Sequence, residues 1–398
     1  MSNFLSSQET VELYEKYLIG NYIKQPIAIV RGQGSYIWDA EGRRYLDLFS
    51  GWAVTVLGHC HPRLVAALGE QAATLIYIAN IPFHNQPAGR LAKLLSENSF
   101  GGKCFFCNSG AEAVEAAIKL ARLATPKEKY KLITFENSFH GRTFGAISAT
   151  AQSKYHQGFQ PLLAGFEYLP LNDLDAVRRA VDDETCGIMV EPIQGEGGIN
   201  ICTPEFLRGL RELCDERGLI LIFDEVQTGL GRTGKMFAYQ HYGVVPDIMA
   251  LAKHLGGGVP IGAIVAKPQV AAAMKPGTHA STYGGNPLAA AAACAVIETI
   301  IDEKLLDHAR EVGAYTMQKL RELGDRQPRI KEVRGLGLMI GIELTDSGAG
   351  VFKKCLEKGL LINCTHDVVL RFMPALTVTQ AEIDEGLAIL ELALKEAQ

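Results

Sequence analysis

Two residues able to do chemistry together stand at matching places in the chain. The apolar run Leu219-Ile-Leu-Ile-Phe leads into Asp224, and Ile248-Met-Ala-Leu-Ala leads into Lys253, 29 residues later. Each run reads as a buried strand, so the carboxylate and the amine both fall just past a strand end. In a parallel α/β sheet that edge is where ligands sit. Both groups would then point toward that edge. Alone the pair is a weak signal. Around it, however, lie Asn108-Ser-Gly-Ala-Glu112 leading into a helix, Ser138-Phe-His-Gly-Arg142, Glu191-Pro-Ile-Gln-Gly-Glu196-Gly-Gly and Ala280-Ser-Thr-Tyr-Gly-Gly-Asn-Pro287. The ordered set is far more specific than its members.

Other motifs compete. Gly229-Leu-Gly231-Arg-Thr-Gly234 fits a dinucleotide loop, and Gly229 to Lys235 fits most of a phosphate-binding loop. The second pattern fails at Met236, where a magnesium-holding hydroxyl belongs, and the first lacks a direct strand-to-helix turn. A glycine-rich turn is the simpler account. Cys104 and Cys107 share a strand and point to opposite faces, so they do not share an ion easily. His59-Cys60-His61 lacks a second cluster of ligands. No metal is expected.

These residues need a scaffold, and the chain is long enough to supply one. At 398 residues it implies two or perhaps three domains. Short apolar runs alternate with helical segments from Gly101 onward: Lys103 to Cys107, Ala111 to Ala124, Lys131 to Phe135, Gly187 to Glu191, Pro204 to Arg217, Leu219 to Phe223, Ile248 to Ala250 and Ile261 to Ala266. That order predicts a large, mostly parallel α/β sheet domain. Residues 25–50 read as a small antiparallel meander. After Leu288 one long helical pattern runs to about Gly324. It is followed by strands at Ile330 to Arg334 and Leu338 to Leu344, a helix near Val351 to Lys358, two short strands around Leu361 and Val369, and a last helix from Gln380. The expected division is a smaller α+β domain built from both chain ends, residues 1–55 and 298–398, around a large domain at 56–297.

Composition narrows the classes. With 44 acidic and 39 basic residues the net charge is −5, ordinary for a globular protein and contrary to a nucleic-acid binder. Nine dispersed cysteines favour a reducing compartment, and the first residues lack the pattern of an export signal, so a cytoplasmic protein is expected. The apolar stretch Pro287 to Ile301 is shorter than a bilayer span and reads as a buried helix. No membrane partner is expected.

The ordered motifs resemble the pyridoxal-phosphate enzymes of fold type I, and within them the class III aminotransferases, the branch containing acetylornithine, ornithine and 4-aminobutyrate aminotransferases. The resemblance covers nearly the whole chain, from Tyr36-Ile-Trp-Asp-Ala-Glu-Gly through Leu57-Gly-His-Cys-His-Pro62 to Arg371-Phe-Met-Pro374. It implies pyridoxal 5'-phosphate as cofactor and a homodimer with a shared active site. Lys253 would be the covalent attachment point and then the general base. Asp224 would hold the protonated ring nitrogen, Val226 and Phe139 would flank the ring, and Gln227, with Glu225 beside it, would reach the ring's oxygen. The amides of Gly110 and Ala111 would take the phosphate, helped by Thr282 of the neighbouring subunit.

For the substrates, the resemblance assigns Arg371 to the α-carboxylate of glutamate or 2-oxoglutarate, with Glu196 as a switch that masks it. Arg142 would hold the carboxylate of the ω-amino donor, with Ser281 nearby. Within the branch the strings look most like its acetylornithine members. That implies conversion of N2-acetyl-L-ornithine and 2-oxoglutarate into N-acetyl-L-glutamate 5-semialdehyde and L-glutamate, a step of arginine biosynthesis. The alternatives are ornithine, succinylornithine, succinyldiaminopimelate or 4-aminobutyrate as donor. Three positions depart from the pattern. Trp52 stands where a small aliphatic residue is usual at the substrate mouth, Tyr22 matches a carboxylate-holding tyrosine of ornithine aminotransferases, and His254 follows the lysine where Gly or Ala is more usual.

Overall fold

The computed structural model describes residues 4–397. Its centre is a seven-stranded sheet in the order Lys103–Cys107, Gly262–Ala266, Ile248–Leu251, Ile220–Asp224, Thr185–Val190, Lys131–Phe135, Phe166–Leu169. Every neighbouring pair is parallel except the two made by Gly262–Ala266. The four strands from Gly262–Ala266 to Thr185–Val190 are buried along their whole length. Strands covered on both faces must be largely apolar, and these carry polar side chains only at their ends, Thr185 and Asp224. Their side chains alternate between two cores. Ile220 and Ile222 pack with Ala113, Ala116 and Ala117 of the helix Gly110–Ala124, whereas Leu221 and Phe223 pack with Phe206 and Leu210 of the helix Pro204–Arg217.

The helix ends carry the expected signals. The Ser109 side chain accepts from the Glu112 amide at the start of Gly110–Ala124, and Thr203 does the same for Pro204–Arg217, which stops at left-handed Gly218 (φ 63°).

The two chain ends meet. Ile29–Gln33, Tyr36–Asp39 and Arg44–Asp47 form the antiparallel meander, and Leu360–Leu361 joins it in parallel beside Leu46 and Asp47. A second antiparallel sheet has the order Ile330–Leu336, Met339–Leu344, Val369–Phe372, Asn363–Thr365. The helix Gln380–Glu396 closes this layer from a Thr379/Glu382 capping box.

Several elements differ from the expectation. The long pattern after Leu288 is two helices, Pro287–Asp302 and Leu305–Gly324, broken where Lys304 takes a left-handed conformation (φ 54°). No glycine or proline marks that break. Between Leu360 and Phe372 there are three strands rather than two. The edge strand Phe166–Leu169 escaped the sequence pattern because it is only partly buried and mixes aromatic with acidic residues. Gly229 to Gly234 is a turn, with Gly231 and Gly234 at positive φ. Among the described residues no cluster of ligands is suited to a metal, and no helix is long and apolar enough to cross a membrane. All nine cysteines are free thiols.

Candidate active site

The strand ends of the large sheet open into a cavity of about 410 Å³. Its floor is set by Ile220–Asp224, whose last residue turns its carboxylate into the space at only 4% exposure. Asp224 is fixed from two sides. Its Oδ1 accepts from the Val226 amide at 3.0 Å, and its Oδ2 lies 2.7 Å from His140 Nδ1. Burial works against a charge on His140, but the hydrogen bond and charge of Asp224, with Glu191 beyond, outweigh it and raise the imidazole's pKa. Glu191 accepts from the amides of Phe139 and Gly195 at 2.9 and 3.0 Å, and burial pushes it up to about 7.

Lys253 follows the neighbouring strand Ile248–Leu251 and takes a left-handed conformation (φ 38°) that aims its amine into the same cavity. A lysine with positive φ is strained, and here the strain sits at the residue best placed for chemistry. Burial pushes its ammonium down to about 8; the Glu196 carboxylate opposes that shift and the Arg371 guanidinium adds to it.

The opposite wall is the start of the helix Gly110–Ala124. The first helical amides, at Gly110 and Ala111, have no carbonyl of their own helix to donate to, and the helix dipole adds positive potential there. A Cβ at Gly110 would stand 3.0 Å from Val226 Cγ1, so glycine keeps this wall close to the floor. Phe139 and Val226 line the cavity from different segments. Arg142 also lines it, its guanidinium lying 3.9 Å from the centroid of the Tyr155 ring, and no carboxylate among the described residues pairs with it.

Beside the cavity, Arg371 and Glu196 form a two-pronged ion pair, Nη1 to Oε1 at 2.9 Å and Nη2 to Oε2 at 3.2 Å. Arg371 is fully buried and also donates to the Gly195 carbonyl and to Asn363 Oδ1. Burial disfavours the Glu196 charge, yet Arg371 outweighs it and holds the carboxyl below its usual range. Gln227 links pair and cavity: its Nε2 donates to Glu196 Oε1 at 3.0 Å, while its Oε1 is buried with no partner among the described residues.

The fold thus brings Gly110, Ala111, Phe139, Arg142, Asp224, Val226, Gln227 and Lys253 to one cavity, with Glu196 and Arg371 adjoining. Five expected residues lie elsewhere. Glu225 points away from the cavity and accepts from the amides of Ala238 and Tyr239 at 2.6 and 2.8 Å, because successive residues beyond a strand face opposite sides. Ser281 accepts from Asn108 Nδ2 at 3.1 Å, and Thr282 is exposed, outside its own chain's cavity. Tyr22 is 70% exposed and lines a separate groove under the N-terminal helix Ser7–Tyr17. That groove, about 920 Å³, is larger but holds no comparable cluster of buried charges. Trp52 is half exposed and stands edge-on to Phe49, whose ring lies under the Arg371 guanidinium. His140, Glu191 and Tyr155 were given no role by sequence reasoning. The first two sit inside the quoted motifs, but nothing in their spacing marks them as partners of Asp224.

A mostly parallel sheet that sets a lysine and a carboxylate at adjacent strand ends, beneath an open helix N-terminus, defines an α/β enzyme with an anion-holding site. The family described as aminotransferase class-III matches residues 19–394. The acetylornithine aminotransferase of Caldanaerobacter subterraneus subsp. tengcongensis is 56% identical, over 96% of this chain and 98% of its own. Among solved structures, an ornithine aminotransferase from Toxoplasma gondii, described as having partial occupancy of PLP at its active site, superposes with a TM-score of 0.93 at 36% identity, covering 99% of this chain and 96% of that one. The acetylornithine aminotransferase of Elizabethkingia anophelis superposes with a TM-score of 0.88 at 34% identity, covering 99% of this chain and all of that one. This chain belongs to the class III aminotransferases.

Proposed function

We propose that this aminotransferase moves the terminal amino group of N2-acetyl-L-ornithine to 2-oxoglutarate, giving N-acetyl-L-glutamate 5-semialdehyde and L-glutamate, with pyridoxal 5'-phosphate in the cavity. The observation that carries the reading is the Glu196–Arg371 pair beside Lys253. An enzyme that alternates between a donor with an amine at its far end and a five-carbon dicarboxylate needs an arginine that can be masked and freed. The names of relatives at about half identity support the donor.

The residues present fit the cofactor. Unmatched buried polar atoms, Gln227 Oε1 and His140 Nε2, lie around the cavity, and the open amides of Gly110 and Ala111 suit a phosphate. Asp224 would accept from the ring nitrogen, Phe139 and Val226 would hold the ring flat, and Gln227 would turn toward its oxygen. When bound, the cofactor supplies an electron sink for the carbon that loses its proton.

The chain's own residues do the rest. His140 holds Asp224 in place and keeps its oxygens from turning. Lys253 would hold the cofactor, and its amine, once displaced by the substrate's own amine, would take the proton from the amine-bearing carbon. With a pKa near 8, enough of it is neutral to do so at ordinary pH. Arg142, lying over the Tyr155 ring, would take the donor's carboxylate, and Arg371 would take the dicarboxylate's when Glu196 swings off it. Ser281 and Thr282 would serve the partner's cavity in a homodimer, which the exposed apolar Ile81, Phe83 and Tyr283 support. Residues 56–297 would form the cofactor-binding unit. The nine free thiols suit the cytoplasm.

A second donor, ornithine, is supported by the likeness to solved ornithine aminotransferases. The test is the conversion of the loaded protein's visible spectrum by acetylornithine, ornithine, 4-aminobutyrate and glutamate in turn. Fast conversion by acetylornithine and glutamate alone is expected. Faster conversion by ornithine or 4-aminobutyrate would overturn the choice of donor.

A further inference from the structure

The glycine-rich turn at Gly229 to Gly234 carries a residue that the site above does not use. Arg232 is fully buried, and no carboxylate among the described residues pairs with it; burial pushes the guanidinium down to about 9. Its donors go instead to three other segments. Nη1 donates to the Leu338 carbonyl at 3.0 Å and to the Pro374 carbonyl, and Nε and Nη2 both donate to His254 Nε2 at 3.3 Å. Its own carbonyl accepts from the Leu338 amide. Leu338 sits in the hairpin between Ile330–Leu336 and Met339–Leu344, Pro374 lies three residues past Arg371, and His254 is the residue after Lys253.

The close approach is built in. Gly337 has φ 58°, and a Cβ there would stand 2.5 Å from the Thr233 carbonyl carbon. The hairpin can reach Arg232 only with glycine at that position. His254 is an acceptor because it is neutral: burial and the neighbouring cations of Arg232 and Lys253 lower its pKa, and its remaining bond is to the Gly229 backbone. The departure at position 254 thus has a partner. A Gly or Ala there would leave two guanidinium donors unmatched in the interior.

We infer that Arg232 is a positioning residue, which through His254 and Pro374 fixes the Lys253 amine relative to the Arg371–Glu196 pair. The assignment rests on the reading of Lys253 and Arg371 as cofactor and dicarboxylate residues. A planar fork with five donors can bridge three segments at once, which the point charge of a lysine cannot. Small displacements between reacting groups are costly, so a tie of this kind acts on chemistry as well as on folding.

The test compares wild type with Arg232→Lys and His254→Asn, both checked for folding by melting temperature. The first readout is the rate at which unloaded protein captures added pyridoxal 5'-phosphate as a function of pH, which reports the Lys253 pKa. The second is the binding of glutarate, a dicarboxylate that cannot react. A loosened Lys253 turn admits water, so folded Arg232→Lys is expected to raise that pKa by about half a unit or more and to weaken glutarate about fivefold. His254→Asn, which keeps an acceptor, should change both less. A lowered melting temperature with wild-type pKa and glutarate binding would overturn the proposal. Two controls separate this failure from a failure of the underlying reading. Lys253→Ala must lose capture, and Arg371→Lys must lose glutarate binding.

Discussion

His140 Nδ1 stands 2.7 Å from Asp224 Oδ2, with both side chains buried. A buried carboxylate this close to an imidazole is held in one orientation, and its charge is available to whatever cation enters the cavity. Replacing His140 by Ala leaves Asp224 with a single backbone donor and should cost about 1–3 kcal/mol of stability. A melting curve reads that loss. An unchanged melting temperature and unchanged cofactor affinity would show that Asp224 needs no support.

If Lys253 is the base proposed above, it sets the pH dependence of the chemistry. With its pKa pushed down to about 8, the first-order rate of amine transfer from bound substrate should rise as pH climbs through that value and then level off. Lys253→Ala should lose the visible band of the lysine-bound cofactor and at least about 100-fold in rate. Retention of both would remove the residue from the mechanism.

Glu196→Ala leaves Arg371 permanently open to a dicarboxylate. Charge-assisted hydrogen bonds of this kind are worth about 1.5–3 kcal/mol, so the preference for glutamate over the amine donor should rise about tenfold or more. The ratio of kcat/KM values measures it. An unchanged ratio would mean that the pair does not open in turnover.

The Arg142 guanidinium lies 3.9 Å from the Tyr155 ring centroid and farther, at 5.6 Å, from that of Phe139. Tyr155→Leu removes a cation–π contact worth about 1 kcal/mol, so KM for the donor should rise about fivefold while that for 2-oxoglutarate stays put. Equal rises in both would point to general disorder of the cavity.

Glu225 serves the fold. Burial raises its carboxyl from 4.5 to about 7. A raised folded-state pKa means a contribution to stability that is complete below 4.5 and is lost as pH climbs through about 7. Glu225→Gln removes that slope, so the variant's melting temperature should vary less than wild type's between about pH 5 and 8, while cofactor absorbance is kept. An equal slope, or loss of the absorbance, would return Glu225 to the active site.

Much of this was legible in the residues because it is local. Fully buried strands must be apolar along their length, so the runs at Ile220–Phe223 and Ile248–Leu251 announce themselves, and with them the positions of Asp224 and Lys253 just beyond. Helix starts at Ser109, Thr203 and Thr379 follow from hydroxyl caps that satisfy orphan amides. The break at Lys304 and the edge strand Phe166–Leu169 carry no such mark, since packing and pairing with distant segments decide them.

The same division runs through the site. Residue types and their order point to Asp224 and Lys253, because each follows an apolar strand whose pattern is plain. Only the tertiary structure decides which of those groups meet. His140 reaches Asp224 across 84 residues and Arg371 reaches Glu196 across 175, and Arg232 finds Pro374 across 142. Glu225 is turned outward beside an inward Asp224 by one step of backbone. Hydrogen bonds and ion pairs depend on distances of a few ångströms, and the fold sets those distances by closing long loops that no local pattern records.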